Sequence, residues 1–192
     1  MCGIFACIPF NKNWLEQSVI KHKERGPDQD AIHIFNNIGV SVNRLAITGN
    51  LEEGSQPVFS ISKETFCVFN GALYNVEDLK ERFSLTVNST NEAAILVELY
   101  ELKGDKFTDY LRGMFSIILV DKRDGSLLVA RDILGIKPLY WVDKEDTVVF
   151  SSSLNAIPEN LFPHAKAFPP GEVWINNIFK RRTKPEIVQF KS

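Results

Sequence analysis

Cys2 stands directly behind the initiator methionine, and its small side chain is of the kind that permits Met1 to be removed. The thiol and a free α-amine then sit on one residue. An α-amine titrates at ~7.7–8.0, so it can take the proton of its own thiol, directly or through a water. One residue thereby serves as both nucleophile and base. The stretch Met1-Cys2-Gly3-Ile4-Phe5 also describes a small, buried apolar side chain, and taken alone it favours that plainer reading. Nucleophile chemistry further needs donors for a developing oxyanion and a group to hold the substrate's far end. Asn70-Gly71 closes an apolar run where a side-chain amide and a glycine N–H can converge on one oxygen, though Asn-Gly is equally an ordinary turn. Arg44, followed by Leu45, carries the planar fork that grips a carboxylate bidentately, though a lone arginine at a strand end is usually solvated.

These side chains need rigid elements beneath them. Gly3 to Pro9 reads as a buried strand that would carry Cys2 on a firm edge. Asn13 caps a helix to about Lys23, and Arg25-Gly26-Pro27-Asp28 turns the chain into a hairpin of Ala31 to Phe35 and Ile38 to Val42. A polar loop from Gly49 to Pro57 precedes a strand from Thr65 to Phe69, which Asn70-Gly71 breaks. Val76 to Phe83 forms a short helix. Ser89 with Glu92 makes a capping box for a longer one through Leu102, with Ala94, Ile95, Val97, Leu99 and Leu102 on its apolar side, and Phe107 to Leu111 continues helically. Strands follow at Met114 to Val120, Leu127 to Ala130, Leu139 to Val142, Val148 to Phe150 and, as the last, Glu172 to Asn176. Strands, then helices, then strands predict an α+β fold of mainly antiparallel sheets with helices outside.

Composition narrows the chemistry. The 192 residues are 44% hydrophobic and 24% charged, which suits one domain over residues 1–192. A net charge of −2 and a pI near 6.0 give no field for nucleic acid, and the cluster Lys180-Arg181-Arg182 with Lys184 reads as a solvated strand end or linker. No apolar run approaches the ~20 residues of a membrane span, and no basic-then-apolar leader opens the chain, so a soluble, cytoplasmic protein that keeps its own N-terminus is expected. Cys2, Cys7 and Cys67 are an odd, scattered set with no disulfide or zinc pattern. His22, His33 and His164 have no ligand spacing, so neither metal nor cofactor is expected.

Taken in order, a set of short motifs carries a resemblance. They are Cys2-Gly3-Ile4-Phe5, Arg25-Gly26-Pro27-Asp28, Arg44-Leu45, Asn70-Gly71 with Tyr74-Asn75, Gly113-Met114-Phe115, Ala130-Arg131-Asp132 with Leu134-Gly135-Ile136-Lys137-Pro138-Leu139-Tyr140, and Phe168-Pro169-Pro170-Gly171. Together they resemble the glutaminase domain of class II (N-terminal nucleophile) glutamine amidotransferases, above all that of the asparagine synthetases. The likeness runs from residue 2 to about residue 176. It implies a four-layer αββα sandwich and hydrolysis of a glutamine side-chain amide through a γ-glutamyl thioester. Cys2 would attack, Asn70 and the Gly71 N–H would hold the oxyanion, and Arg44 with Leu45 would bind the substrate's α-carboxylate end. Arg25 to Asp28 would be architecture near the pocket, and Arg131 and Asp132 would pair inside the fold.

Two departures from that family fall where the substrate's α-nitrogen would be read. Ala72 follows Asn70-Gly71 where the family has Glu, and Asn91 and Ala93 stand where it has an Asp and a Glu at the start of the long helix. Losing the partner of a bound ammonium costs ~2–5 kcal/mol. Asn91 can still accept a hydrogen bond, and Glu92 is a candidate substitute, though one residue along a helix swings its side chain by ~100°. The expectation is weak binding of free glutamine, or a glutamine-like amide whose α-nitrogen is neutral, acylated or absent. No pyrophosphatase-type ATP loop occurs, so ammonia would pass to a separate synthetase subunit or to a C-terminal domain not in this sequence. A non-glutamine amide hydrolase and a non-catalytic scaffold are the alternatives. The joint presence of Cys2, Arg44, Asn70 and Gly71 argues against the scaffold.

Overall fold

Near-continuous apolar runs such as Gly3–Ile8 and Gly113–Asp121 give the central strands of each sheet two faces to bury. The structure, a computed structural model, describes residues 1–46, 54–87 and 91–182. The chain opens with β1 (Gly3–Ile8), α1 (Lys12–Lys21) and the hairpin of β2 (Gln29–Phe35) and β3 (Ile38–Arg44). Next come β4 (Val58–Phe59), β5 (Thr65–Leu73), α2 (Val76–Phe83), α3 (Glu92–Lys103) and a 3₁₀ stretch, Gly104–Tyr110. The remainder is β6 (Gly113–Asp121), β7 (Ser126–Arg131), β8 (Tyr140–Lys144), β9 (Thr147–Ser151), β10 (Lys166–Ala167), β11 (Glu172–Ile175) and β12 (Ile178–Arg181). Within the described residues these strands form two six-stranded antiparallel sheets, ordered β10-β8-β9-β1-β3-β2 and β12-β11-β7-β6-β5-β4.

Three apolar layers hold the sandwich together. Between the sheets, Ile4, Ala6 and Val42 meet Val68, Ile118 and Val129. Phe150 of the first sheet and Trp174 of the second lie 4.9 Å apart between ring centroids, in a T-shaped contact that ties the two sheets. Outside the first sheet, Leu15 of α1 packs on Phe5, Cys7 and Val149. Outside the second, Ala93, Leu96 and Val97 of α3 pack on Phe69, Ile117 and Leu119. The order helix, sheet, sheet, helix is the αββα arrangement expected from the sequence.

Several local expectations are corrected. Asn11 caps α1 instead of Asn13, with its side-chain oxygen accepting from the Trp14 N–H at 3.1 Å. The hairpin strand reaches Arg44, two residues beyond Val42. Asn70-Gly71 is no turn: β5 runs straight through it, pairing with Ser116 and Phe115 of β6. Gly71 serves close packing, because a Cβ there would lie 2.3 Å from the Met114 carbonyl oxygen. Asn91 caps α3, accepting from the Ala93 N–H at 3.1 Å, while Ser89 lies outside the described residues. Leu102 is exposed, since the buried side of α3 is made by Ile95, Leu96, Leu99 and Tyr100. Glu172–Ile175 is followed by a further strand, β12, and Arg182 beyond it is buried, donating to the Thr108 and Leu111 carbonyls.

The start of β1 is anchored from beneath. The Ile4 N–H donates to Ser152 Oγ at 3.2 Å, and the Ser152 N–H to the Ile4 carbonyl at 2.9 Å. Fully buried His22 lies so close under Gly3 that a Cβ there would be 2.6 Å from its own. Burial first, then the charge of Arg25, depresses the His22 imidazole to about 4. The unfolded chain binds this proton near pH ~6.5 and the folded chain only near 4, so the stability His22 confers is lost as pH falls through that window. His22 alone is expected to cost the fold about 3 kcal/mol between pH 7 and pH 4. Denaturant titrations of the protein and of His22→Gln check this, and equal pH slopes for the two would refute it.

Candidate active site

Antiparallel register brings the N-terminus and Arg44 together. Gly3 pairs with Asn43, so the residue before one and the residue after the other emerge at the same sheet end. The turn Arg25 to Asp28 locks them there. Arg25 Nε donates to the Cys2 carbonyl at 3.3 Å, and the Asp28 N–H donates to the Arg44 carbonyl at 3.1 Å. Asp28 Oδ2 also accepts from the Ala46 N–H at 2.7 Å, and Gly26 lies so near Asn43 that a Cβ would meet its carbonyl at 2.3 Å. This motif is architecture, and what it builds is the spacing between thiol and guanidinium. Arg44 is buried against Gly54, where a Cβ would fall 1.7 Å from Nη2.

The second sheet supplies donors. Asn70 shares its strand face with Val68, which packs between the sheets, so its side chain enters the sandwich at the end where Cys2 emerges. It is 1% exposed, and its Nδ2 has no partner. Such a donor is costly unless something else accepts from it. Gly71 adds another. Opposite it, the Phe115 N–H donates to Asp132 Oδ2 and the Phe115 carbonyl accepts from the Asp132 N–H, so Phe115 turns its polar groups away from β5. In an antiparallel pair Gly71 then does the same, toward the free edge of β5. On that edge the Phe69 N–H is taken by Gln56 Oε1 at 2.7 Å and the Leu73 N–H by Glu92 Oε1 at 3.2 Å. Gly71 lies between them, with no described side chain accepting from it. Two donors, a thiol and a guanidinium lining one cleft are the parts that acyl transfer requires.

Known proteins share this chain's sequence pattern and fold. The profile of the glutamine amidotransferase domain family matches residues 1–178. The chain belongs to that family. Asparagine synthetase [glutamine-hydrolyzing] 2 of Oryza sativa is 33% identical over 183 residues, spanning 91% of this chain and 30% of that protein. The Zea mays asparagine synthetase [glutamine-hydrolyzing] is 34% identical over 187 residues, again 91% of this chain and 31% of the relative. The chain thus spans about a third of these relatives' length. The fold is shared with an allosteric regulatory enzyme of purine biosynthesis at TM-score 0.76 and 18% identity, over 94% of this chain and 49% of the other. It is also shared with the Bacillus subtilis glutamine phosphoribosylpyrophosphate amidotransferase, at TM-score 0.74, 18% identity and the same coverage. It is the N-terminal nucleophile fold of class II amidotransferases.

The cleft of this amidotransferase domain is lined by Cys2, Arg44, Leu45, Asn70, Gly71 and Asn91, six of the residues singled out from sequence. Ala72 lies one step further along β5, outside the lining. Asn91 spends its oxygen on the cap and donates Nδ2 to the Ser55 carbonyl at 3.2 Å. Gln56 and Lys137 are liners that escaped the sequence reading, and Glu92, weighed there as a possible substitute for the missing carboxylate, lines the cleft as well. Glu92 is the one carboxylate among the described lining residues, and burial pushes it up while the Leu73 N–H opposes. Arg131 and Asp132 do not bond each other. Arg131 donates to the carbonyls of Gly135, Lys137 and Phe168, and Asp132 accepts four backbone N–H groups, from Phe115, Leu134, Ile136 and Lys137. No group of three His, Cys, Asp or Glu able to hold a metal occurs among the described residues, and no helix there is long and apolar enough to cross a membrane.

Gly54→Ala is expected to dislodge Arg44 without disturbing either sheet. The glutamine KM should rise about tenfold or more, with a smaller change in kcat, as for a lost carboxylate contact. Steady-state kinetics beside a thermal melt decide this, and an unchanged KM would disprove the packing argument.

Proposed function

We propose that this chain hydrolyses the side-chain amide of glutamine, or of a closely glutamine-like compound, through Cys2 freed by removal of Met1. The observation that carries this reading is the unpartnered, buried Asn70 Nδ2 sharing one cleft with Cys2 and Arg44. The Cys2 α-amine takes the thiol proton, and sulfur adds to the amide carbon. The negative oxygen accepts from Asn70 Nδ2 and the Gly71 N–H. The protonated amine returns its proton to the leaving nitrogen, the C–N bond breaks, and ammonia departs. Water, deprotonated by the same amine, then splits the thioester to a carboxylate and regenerates the thiol. Arg44 holds the substrate α-carboxylate, which fixes the amide over the thiol.

Recognition of the α-amino group is altered. Asn91 is engaged as a cap and Ala72 offers no charge, so Glu92 is the residue that meets an α-ammonium. One observation favours a second substrate class. Glu92 also borders an adjoining hollow of about 360 Å³ with Leu73, Val76 and Ile95, room into which an acyl group on the α-nitrogen extends. The ammonia goes to a synthetase component, on another chain or in a continuation of this one. Relatives about three times longer, named as asparagine synthetases, support this.

Ammonia release from glutamine is expected to vanish in Cys2→Ala and to fall ~10²–10³-fold in kcat in Asn70→Ala. Intact mass should show Met1 absent, and an active preparation that retains it would falsify the mechanism. Glu92→Gln should raise the glutamine KM about 30-fold, equivalent to ~2 kcal/mol. Faster wild-type turnover of N-acylglutamine or the 2-oxo analogue than of glutamine assigns the hollow to the substrate instead. A synthetase component should co-purify from the source cell, and its absence under mild extraction argues against ammonia transfer.

A further inference from the structure

We propose that Lys137 is a positioning residue of the nucleophile, its ammonium keeping the α-amine of Cys2 unprotonated, and so able to act as base, at neutral pH. The inference rests on the reading of Cys2 as an N-terminal nucleophile and assigns a task to a residue that reading leaves idle. Lys137 lines the same cleft as Cys2 and Asn70 yet is only 8% exposed. Among the described residues its ammonium has neither a carboxylate nor a carbonyl partner. Lysines are seldom so enclosed.

The backbone of Lys137 is held on both sides by charged side chains. Its N–H donates to Asp132 Oδ2 at 3.1 Å, and its carbonyl accepts from Arg131 Nε at 2.8 Å. Arg131 and Asp132, which hold carbonyls and N–H groups along the whole loop, thus fix both polar groups of Lys137. The loop they shape contributes little to the core, since Ile133, Leu134 and Ile136 are all exposed, Leu134 at 75%. What it does deliver inward is Lys137. Pre-organised support of this kind is what a site residue requires and a surface loop does not.

The sign of the effect follows from the charges around the amine. The Met1 amine, one residue away from that of Cys2, feels the Cys2 thiol, Arg25 and Asp28 from the turn after α1, and Lys137, while Arg44 and Glu92 line the same cleft as Cys2. Arg25 bonds the neutral Cys2 carbonyl and keeps its charge, so it acts on the amine together with Lys137; of the two, Lys137 is the one that lines the cleft. A cation near an amine disfavours its protonated form. In the unprocessed chain the Met1 amine is pushed below its ordinary value by burial first. Cys2 opposes the shift, Arg25 and Lys137 reinforce it, and Asp28 opposes it.

The test follows the pH dependence of Cys2 alkylation by iodoacetamide and of kcat/KM for glutamine, from pH 6 to 10. Lys137→Met keeps the aliphatic stem, Lys137→Gln the polarity, and Lys137→Arg the charge. Thermal melts identify which variants fold. In the Met and Gln variants the acid limb of both profiles should move up by about one pH unit, with activity near pH 7 falling about tenfold and recovering near pH 9. Lys137→Arg should keep the original limb. A loss equal at all pH values, or an unmoved limb in either folded variant, overturns the inference. Alkylation needs no turnover, so a wild-type chain that fails to hydrolyse glutamine defeats the glutaminase reading while Lys137 is still judged by its own limb.

Discussion

The register between β1 and β3 is the constraint on which the site depends. Gly3 sits opposite Asn43, and the next positions outward are Cys2 and Arg44. A slip of one residue would turn every side chain of β1 to the other face, taking Ile4 and Ala6 out of the inter-sheet core and moving the thiol away from the guanidinium. Packing energy and catalytic geometry are thus the same alignment. β1 is also central in its sheet, hydrogen-bonded on both sides by β3 and β9. A chain terminus, ordinarily frayed, is therefore held firmly up to the residue whose amine and thiol must stay in contact.

Polar satisfaction elsewhere gives the open donors their meaning. Asp132 accepts four backbone N–H groups, and Gln56 pairs both amide atoms with Phe69. Against that background, several buried side-chain atoms without partners gather where the two sheets meet the cleft. They include Asn70 Nδ2, Ser116 Oγ directly opposite it, and Arg25 Nη2 beside Cys2. Folding alone would fill these positions, because each unmet buried group costs about 1–3 kcal/mol. Strain concentrated at one end of the sandwich is what a site awaiting an oxyanion and a carboxylate looks like in the free protein.

The sequence made the residue types of the site legible but left much of its geometry hidden. Cys2, Arg44 and Asn70 could be picked out because few side chains perform their chemistry. Asn70-Gly71 was legible as a pair but read as a turn, since Asn-Gly favours turns locally and only pairing with β6 overrides that. Glu92 was placed ~100° from the pocket by helical periodicity. That argument failed because α3 begins at Glu92, so Asn91 is a cap with extended backbone and the two side chains are not on successive helical positions. Arg131 next to Asp132 suggested an ion pair, yet both point at the backbone of the loop that follows. Lys137 gave no signal at all, because its burial depends on that loop.

Charge in the cleft links these parts to the chemistry proposed. The chain carries a net charge of −2, but the described residues lining the cleft set Arg44 and Lys137 against Glu92 alone, with Arg25 close behind. The excess positive field is local, so it acts on the reaction more than on distant encounter. A thiolate and a tetrahedral oxyanion are both stabilised in such a field. An ammonium ion is not. The nitrogen leaving the tetrahedral intermediate therefore departs as neutral ammonia, the form that can cross an apolar passage and attack an acceptor. The carboxylate formed at the second step, in contrast, is attracted to the same cations.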